Sequence, residues 1–479
     1  MKKHLFWLVA LALSIAACTD EPTDKIGGNE DNNGQTEQAE VTQLLKLNAD
    51  NSRILLPTRA EEGSNGGWIE GPSHLKTGNE DYNLQHVYSA TGIAVDGTTV
   101  YISWHSNRAQ DLDEDSEEHD HGTNVDGTEP SLETADDWGG MIDVLDFSNG
   151  IDGATFAGSY WQPEHKYNHV CFADNYLYLA STSWFVGAAI HRVPVEGTTL
   201  STTDAQRFNL TGNSANCVVK LGTDVITVSG RTKGGVNWFN DAEIDAAFDL
   251  TNKDSRNVYD LTPANINTEV DGFGGKHIWN DNGTIYVLRN PEAPVVEVYT
   301  SAGVSSSFNL AADVKLSPID GKNVITGDED YIYVCCGQYG LHIYDKDTHA
   351  EVATSHKNTA DNKNATPSQK YYAANGVDFD ANYIYVANGS GLVIFEKNFE
   401  NLNANNGLKV KKNAQFTGTI DFGGLSDKAN DKTADGLVKE SSNFVKLVDV
   451  NDKHYAFVAY GMYGLRIYDL AELYPATEE

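Results

Sequence analysis

One hydrophobic pattern recurs along most of the chain. A copy consists of an apolar segment, an Asp/Asn/Gly turn, a second apolar segment of the Tyr-Ile-Tyr-Val type, a Gly turn and a Gly-Leu-x-Ile-Tyr/Phe segment. The clearest copies span 321–346, 374–397 and 441–470, and less regular copies span 90–104, 167–181, 214–230 and 275–289. Short segments rich in aromatic and β-branched residues, separated by turn residues, predict β-strands. The sequence therefore predicts seven related β units.

A fourth strand is predicted after most third strands, marked by an apolar-polar-apolar triplet. Such triplets stand at 208–210, 259–261, 308–310 and 420–422. Second strands are apolar on both faces, which is typical of strands covered on both sides by neighbouring sheets. We therefore predict an all-β protein, a seven-bladed β-propeller with four-stranded antiparallel blades. A right-handed parallel β-helix is the alternative, and the irregular spacing between copies counts against it.

The last copy ends after its third strand, because few residues follow 470. A matching triplet, Leu45-Lys46-Leu47, lies near the other end of the chain. We expect residues 43–48 to supply the missing strand of blade seven. This N-terminal strand would remove the exposed sheet edge that an open ring leaves.

The N-terminus predicts export. Lys2 and Lys3 precede an apolar segment from Leu5 to Ala17, which is too short to span a bilayer and is typical of a signal peptide. The segment before Cys18 resembles the lipobox of bacterial lipoproteins, which implies cleavage after residue 17 and acylation of Cys18. An ordinary signal peptide followed by a chance cysteine is the alternative. Residues 18–40 are polar and acidic and predict a flexible tether, so we assign 41–479 to one propeller domain.

Acidic residues directly after Cys18 resemble the surface-export signal of Bacteroidetes lipoproteins. The resemblance implies a protein held in the outer membrane by its lipid and exposed at the cell surface. The formal net charge of −35 makes nucleic acid an improbable partner, since a strongly acidic surface repels phosphate backbones. Four further cysteines, Cys171, Cys217, Cys335 and Cys336, are spaced so that we expect small buried apolar side chains and no disulfides.

The repeat resembles the LVIVD-type repeat of bacterial and archaeal surface propellers. Its core, Tyr-Val-Ala-x-Gly followed by Gly-Leu-x-Ile-x-Asp, is matched at 385–389 with 391–396 and at 457–461 with 464–469. The match is good in blades five to seven and weak in blades one to four. The resemblance implies a propeller at the cell surface, and no single activity is shared by that family.

Catalytic motifs of the common hydrolase, zinc-protease and phosphate-binding types are absent from the sequence. An acidic insertion at 109–137 contains Asp111, Asp113 and Asp115, spaced as in some calcium loops, together with His119 and His121. The calcium pattern fails at its sixth and twelfth positions, which here are Ser116 and Gly122. We interpret the insertion as a solvated acidic loop, with a metal site as the alternative, and we predict no cofactor.

The start of each innermost strand carries a recurrent polar position near the predicted axis. Asn occupies it in five blades, and Gly92 and His277 are aligned with it in blades one and four. The five residues are Asn168, Asn216, Asn323, Asn375 and Asn443. These amides are candidate ligand-binding groups, with His169 beside them. The alternative is that Asn tightens the turn into the strand.

We expect the working face to be the one where innermost strands begin, because the turns between second and third strands and the long loops gather there. Those turns are predicted to carry Trp104, Trp184, Tyr339 and Tyr463. Aromatic faces beside amides suit a sugar, although packing between blades is an equal alternative for Trp104 and Trp184. The sequence thus favours a non-catalytic recognition or scaffolding module for a glycan or an envelope or host protein. Rival hypotheses are a propeller glycosidase or lyase using His169 and His277, and a metal-binding surface protein.

Overall fold

The computed structural model describes the strands and turns of seven sheets and leaves gaps between some of them. The described residues are 68–70, 85–108, 139–163, 165–183, 187–201, 204–210, 212, 214–230, 233–240, 270–312, 314–316, 323–355, 373–388, 391–415, 442–461 and 464–474. The predicted closing strand at 43–48 lies outside them, as do Cys18, the tether and the acidic insertion. Its pairing with blade seven stays a prediction.

Each sheet is an antiparallel blade whose strands follow one another in chain order. Blade one holds β1 (Trp68–Glu70), β2 (Gln85–Asp96), β3 (Thr99–Arg108), β4 (Gly139–Asp146) and β5 (Thr155–Pro163). Blade two holds β6 (His165–Ala173), β7 (Tyr176–Ser183), β8 (Gly187–Glu196), β9 (Thr199–Leu200) and β10 (Gln206–Asn209). Blade three holds β11 (Ser214–Leu221), β12 (Asp224–Gly230) and β14 (Val236–Phe239), and β13 (Lys233–Gly234) pairs with β15 (Val270–Asp271) beside it.

The remaining blades repeat this order. Blade four holds β16 (Gly275–Asp281), β17 (Thr284–Arg289), β18 (Val295–Thr300) and β19 (Gly303–Asn309). Blade five holds β20 (Ile325–Gly327), β21 (Tyr331–Cys335), β22 (Leu341–Asp345) and β23 (Glu351–Thr354). Blade six holds β24 (Gly376–Phe379), β25 (Tyr383–Asn388), β26 (Gly391–Glu396) and β27 (Val410–Gln415). Blade seven holds β28 (Phe444–Val450), β29 (Lys453–Ala459) and β30 (Leu465–Asp469), and short 3₁₀ segments lie at Ala404–Asn406 and Ala471–Leu473. The predicted seven-bladed β-propeller is confirmed.

Second strands are buried on both faces, as the sequence predicts. In β21, Ile332 and Val334 pack in the core shared with blade four. Tyr333 and Cys335 point the other way, into the core shared with blade six. Cys336 joins the blade-four side, so the two adjacent cysteines do lie on opposite faces. This alternation explains why such a strand is apolar at every position.

The described cysteines Cys171, Cys217, Cys335 and Cys336 are all free, as expected. Three of them are buried, but Cys171 is partly exposed at the edge of the core between blades two and three. The expectation of complete burial is therefore wrong for Cys171.

Two predicted triplets fall in fourth strands, at 208–210 in blade two and 308–310 in blade four. In blade six the fourth strand is β27, which precedes the triplet at 420–422, so that prediction is wrong. β27 was missed because Lys412 interrupts its apolar pattern. Lys412 is 8% exposed and its ammonium lies 2.5 Å from Glu472, so its aliphatic stem takes a buried position while its charge is paired.

Blades seven and one pack directly against each other and close the ring. Their shared core includes Trp104 of β3 and Phe457 of β29, and the Ala90 amide donates to the Gly461 carbonyl at 2.9 Å. The sequence predicts that Trp104 lies in the turn after the second strand. This prediction is wrong, because β3 continues to Arg108. At 1% exposure, Trp104 is a packing residue between blades.

Candidate functional site

The strand directions give the ring two different faces. We call the end where first strands begin the entry face; second strands end there, and segments 109–138, 356–372 and 416–441 leave and rejoin the described sheets there. We call the opposite end the hairpin face. It is defined by the short turns between first and second strands at 97–98, 174–175, 222–223, 282–283, 329–330, 381–382 and 451–452.

A β-bulge stands at the start of the first strand in blades one to four. The pairing register shifts between Ala90 and Gly92, between Tyr167 and His169, between Ala215 and Cys217, and between Gly275 and His277. The extra residues are Thr91, Asn168, Asn216 and Lys276. The alignment of Gly92 and His277 with the asparagines is therefore wrong by one residue, since a bulge adds a residue that strand periodicity cannot register.

Side chains at this bulge position in blades one to three, together with Asn375 and Asn443 in blades six and seven, connect five blades to the blade that follows. Each donates to the backbone carbonyl that precedes the equivalent residue of the following blade. The bonds are Thr91 Oγ1 to Tyr167 O at 2.8 Å, Asn168 Nδ2 to Ala215 O at 2.8 Å, Asn216 Nδ2 to Gly275 O at 2.7 Å, Asn375 Nδ2 to Ser442 O at 2.8 Å and Asn443 Nδ2 to Ala90 O at 2.6 Å. The proposed role of Asn in tightening its own turn is thus replaced by an interblade role.

The interblade bonds also bear on ligand binding. Asn168, Asn216, Asn375 and Asn443 are at most 6% exposed, and each already directs its NH2 group at a neighbouring blade. Asn323, in blade five, is fully buried with φ of +69°, a left-handed conformation that Asn tolerates. A ligand on the entry face that bound the NH2 groups of Asn168, Asn216, Asn375 or Asn443 would compete with their interblade hydrogen bonds.

We expect Asn443→Ala to destabilise the seam between blades seven and one by about 1–3 kcal/mol, because the buried Ala90 carbonyl loses its side-chain donor. Chemical denaturation monitored by tyrosine and tryptophan fluorescence measures the change. Asn401→Ala, at an exposed position on a surface loop, is the matched control and should change the free energy of unfolding by less than about 0.5 kcal/mol. Equal effects of the two substitutions would refute the interblade role.

The residue after the bulge position points towards the axis, and in three consecutive blades it carries a metal-ligating atom. His169, Cys217 and His277 bring their side-chain N and S atoms within 4.8 Å of one another. We call these three residues the axis cluster. The two imidazole rings meet edge to face with centroids 5.1 Å apart, and His169 also contacts Phe444 of blade seven at 6.3 Å. The structure thus unites the two histidines that the sequence singled out and adds a cysteine that it had assigned to the core.

Cys217 and His277 of the axis cluster are buried, His169 is partly exposed, and the cluster is poorly hydrogen-bonded. Among the described residues, neither ring nitrogen of His277 nor Nδ1 of His169 has a hydrogen-bond partner. Leaving such buried groups unpaired costs about 1–3 kcal/mol each. The Cys217 thiol makes only a weak 3.9 Å contact with the Ile278 carbonyl.

Burial also fixes the protonation states of the axis cluster. It lowers the pKa of His169 to about 4 and that of His277 well below the ordinary value, with the neighbouring imidazole as a further cause for His277. Both rings are therefore neutral at physiological pH. Burial raises the pKa of the Cys217 thiol, so this group is protonated when it has no cationic partner.

The other predicted site residues are placed as follows. Tyr339 lies in the turn between β21 and β22, as expected; it is partly buried, and its carbonyl accepts a 3.1 Å bond from His342 Nε2. Outside the described residues lie Trp184, Tyr463, Asp111, Asp113, Asp115, His119 and His121. Their proposed roles stay predictions.

Sequence reasoning missed a buried histidine pair between blades one and two. His165 and His191 meet edge to face at 4.5 Å. His165 Nε2 accepts from Arg207 at 3.0 Å, and its Nδ1 lies 3.2 Å from Ser181 Oγ. Burial, with Arg207 as a second cause, lowers the pKa of His165 to about 3. The only signal in the sequence is that His191 takes an inward position of the alternating strand β8.

Stability should therefore fall with acid through His165. Its pKa in the folded protein is below its value in the unfolded chain, so the unfolded chain binds an extra proton as pH drops from about 6.5 towards the folded value near 3. The His165→Gln substitution removes this titration. Between pH 5.5 and 4, the free energy of unfolding of the variant should therefore fall less steeply with acid, by about 1.4 kcal/mol per pH unit. Denaturant titrations over this range test it, with His349→Gln on a surface turn as control. An unchanged slope in His165→Gln would contradict the assignment.

A second set of interblade contacts, also missed, lies on the hairpin face. The Asp328 carboxylate accepts from Tyr333 of its own blade and pairs with Lys397 of blade six at 2.8 Å. Lys346 of blade five pairs likewise with Asp281 of blade four. Burial alone would raise the pKa of Asp328, but these hydrogen bonds, with those from the Tyr331 and Asp330 amides, hold it below its ordinary value.

The same contact recurs between blades six and seven. Asp380 accepts from Tyr385 at 2.7 Å, and His454 lies 3.8 Å away on blade seven. The nearby hairpin-face groove between blades five and six is lined by Tyr331, Tyr383 and Phe399 among others. The hairpin face is therefore occupied largely by structural contacts between blades.

Comparisons with known proteins yield distant structural similarities. No protein-family model and no curated protein sequence matches the chain. Similar solved structures include the WD40 β-propeller domain of Doa1, with 11% identity and a TM-score of 0.42 over 82% of this chain and 96% of that one. They also include the computationally designed protein Ika8, with 8% identity and a TM-score of 0.39 over 80% and 96%.

These similarities are weak, and the class of the protein rests on its own strand order. Seven antiparallel sheets, each packed against the next and closed between blades seven and one, define a seven-bladed β-propeller. No helix within the described part of the chain is long and apolar enough to cross a bilayer.

Proposed function

We propose that the protein is a recognition or scaffolding module, held at the outer membrane by a lipid on Cys18 and displayed at the cell surface. The observation that carries this proposal is the asymmetry between its two faces. The turns between first and second strands at the hairpin face are short and lie beside cross-blade ion pairs, whereas segments 109–138, 356–372 and 416–441 both leave and rejoin the described sheets at the entry face; segment 241–269 leaves β14 at the hairpin face. Binding residues in rigid scaffolds are concentrated on such segments.

The interior supports binding over catalysis. The seven axis positions carry Gly92, His169, Cys217, His277, Val324, Gly376 and Phe444. Glycosidases use a pair of carboxylates that flank the scissile bond, and none of these seven residues is acidic. The glycosidase or lyase hypothesis would therefore have to draw its carboxylates from other positions. Fold alone does not separate the two hypotheses, since propellers include both enzymes and binders.

The proposed location rests on the N-terminal sequence and the repeat. The lipobox-like segment before Cys18, the acidic tether to residue 40 and the LVIVD-type cores in blades five to seven all fit a surface lipoprotein. A glycan is the preferred ligand class, because aromatic side chains are predicted on the entry face. An envelope or host protein is the second candidate, and the net charge of −35 argues against nucleic acid.

Anchoring through Cys18 predicts a change of fractionation. Cys18→Ala removes the acceptor for acylation, so we expect the protein to leave the membrane fraction and to lose incorporation of labelled fatty acid, because stable anchoring depends on acyl chains. Protease treatment of intact cells tests surface display. A Cys18→Ala protein that stays in the membrane and still carries label would contradict the proposal.

Ligand binding at the entry face is tested with a panel of immobilised glycans and of co-purified envelope proteins. Tyr339→Ala and Trp184→Ala should each weaken binding by about tenfold or more, as loss of an aromatic contact does at binding hot spots. Phe399→Ala, on the hairpin face, is the control. Loss of binding only in Phe399→Ala would place the site on the other face. Hydrolysis or elimination of a panel glycan that His277→Gln abolishes would favour the enzyme hypothesis.

A further inference from the structure

We propose that the axis cluster is a transition-metal site in which His169, Cys217 and His277 bind one ion of the zinc or copper class. The three residues come from β6, β11 and β16, the first strands of three consecutive blades. Their side-chain ligand atoms already lie within 4.8 Å of one another at the propeller axis. The proposal does not depend on the proposed recognition function.

The spacing is close to what a metal requires. Zn–N bonds of about 2.0–2.1 Å and Zn–S bonds of about 2.3 Å place tetrahedral ligand atoms roughly 3.3–3.8 Å apart. The ligand atoms of the axis cluster are at most 4.8 Å apart, so small side-chain rotations would close the site. In blades two and three, the backbone that carries His169 and Cys217 is fixed by the adjacent bulge residue, Asn168 or Asn216, which bonds to the next blade.

The hydrogen bonding of the histidines supplies an independent argument. His277 is 8% exposed, and neither of its ring nitrogens makes a well-formed hydrogen bond among the described residues, although backbone groups of Ile325 and Ile278 lie near enough to raise its pKa; Nδ1 of His169 is unpaired too. Buried His342 has both ring nitrogens paired, with Glu351 at 2.7 Å and with the Tyr339 carbonyl at 3.1 Å, and buried His191 leaves one nitrogen, Nε2, unpaired. A cation beside the Cys217 thiol would accept the lone pair of one nitrogen from each imidazole.

The ligand types select the class of metal. One thiolate and two imidazoles suit zinc or copper, whereas calcium and magnesium require oxygen ligands. Binding would release the Cys217 proton and replace its weak contact with the Ile278 carbonyl. Three protein ligands leave a fourth position for water or a small ligand. An ion held by three blades would also stabilise the folded ring, since the unfolded chain has no preformed site.

The test uses the purified full chain, stripped of metal by a chelator and titrated with Zn²⁺, with Co²⁺ as a spectroscopic probe and with Cu⁺ under reducing conditions. We expect one equivalent to bind, to raise the melting temperature and, with cobalt, to give a thiolate-to-metal charge-transfer band. Cys217→Ala should abolish the band and weaken binding at least about 100-fold, because even outer-shell substitutions cost 10–100-fold. His277→Gln should weaken binding similarly.

Two matched controls separate this site from others. Cys335→Ala removes a different buried cysteine, in blade five, and should keep the band and the affinity. The double variant His119→Gln with His121→Gln removes the candidate ligands of the acidic insertion and should also keep both. Absence of the charge-transfer band, its persistence in Cys217→Ala, or its loss in the insertion variant would each overturn the proposal. Circular dichroism confirms that each variant is folded before it is titrated.

Discussion

The structure depends on side-chain hydrogen bonds that join five of the seven pairs of adjacent blades near the propeller axis. A ring of sheets has no continuous backbone ladder across its seams, so adjacent blades are held by side chains and by isolated backbone bonds such as that from Ala90 to Gly461. At the seams between blades two and three, three and four, and seven and one, a buried Asn donates to the neighbouring backbone at 2.6–2.8 Å. Thr91 replaces Asn at the first seam. Because the same geometry recurs, these bonds set the spacing of the first strands around the axis.

The hairpin face carries a second set of interblade contacts, concentrated where the repeat is most regular. Lys346 and Lys397 follow the Ile-Tyr-Asp and Ile-Phe-Glu segments of blades five and six, and each pairs with an Asp of the preceding blade. Tyr333, in the Tyr-Ile-Tyr-Val segment, donates to Asp328. The motif that makes this chain resemble surface propellers therefore encodes contacts between neighbouring repeats. The presence of this repeat motif therefore indicates a β-propeller and does not identify a ligand.

The fold could be predicted from the sequence because its signal is local: apolar alternation and turn residues repeat in every blade. The site could not, for two physical reasons. A bulge inserts a residue without changing the pattern, so Lys276 was hidden and His277 was aligned with the wrong position. The axis cluster forms only when three separate blades converge, and Cys217 resembles any small buried residue until its neighbours are known. Lys412 was misleading for a similar reason: its charge is paired in the fold, so it can occupy an inward strand position that the pattern predicts to be apolar.

Two adjacent positions at the start of each first strand therefore have different constraints. The bulge position must supply an interblade donor or an equivalent contact, and Asn occupies it in five of seven blades. The following position points to the axis and makes none of those bonds, so it accepts side chains as different as those of Gly92, Phe444 and His277. The side chain at this second position differs among blades, but at Gly376 a Cβ would lie 2.9 Å from the Asn443 carbonyl oxygen and from Phe444 Cα of blade seven, so blade six keeps glycine. The bulge positions thus form a constant set of interblade contacts, and the axis positions beside them vary. This arrangement allows blades two to four to hold a polar, metal-ligating centre while blades one and six contribute only glycine there.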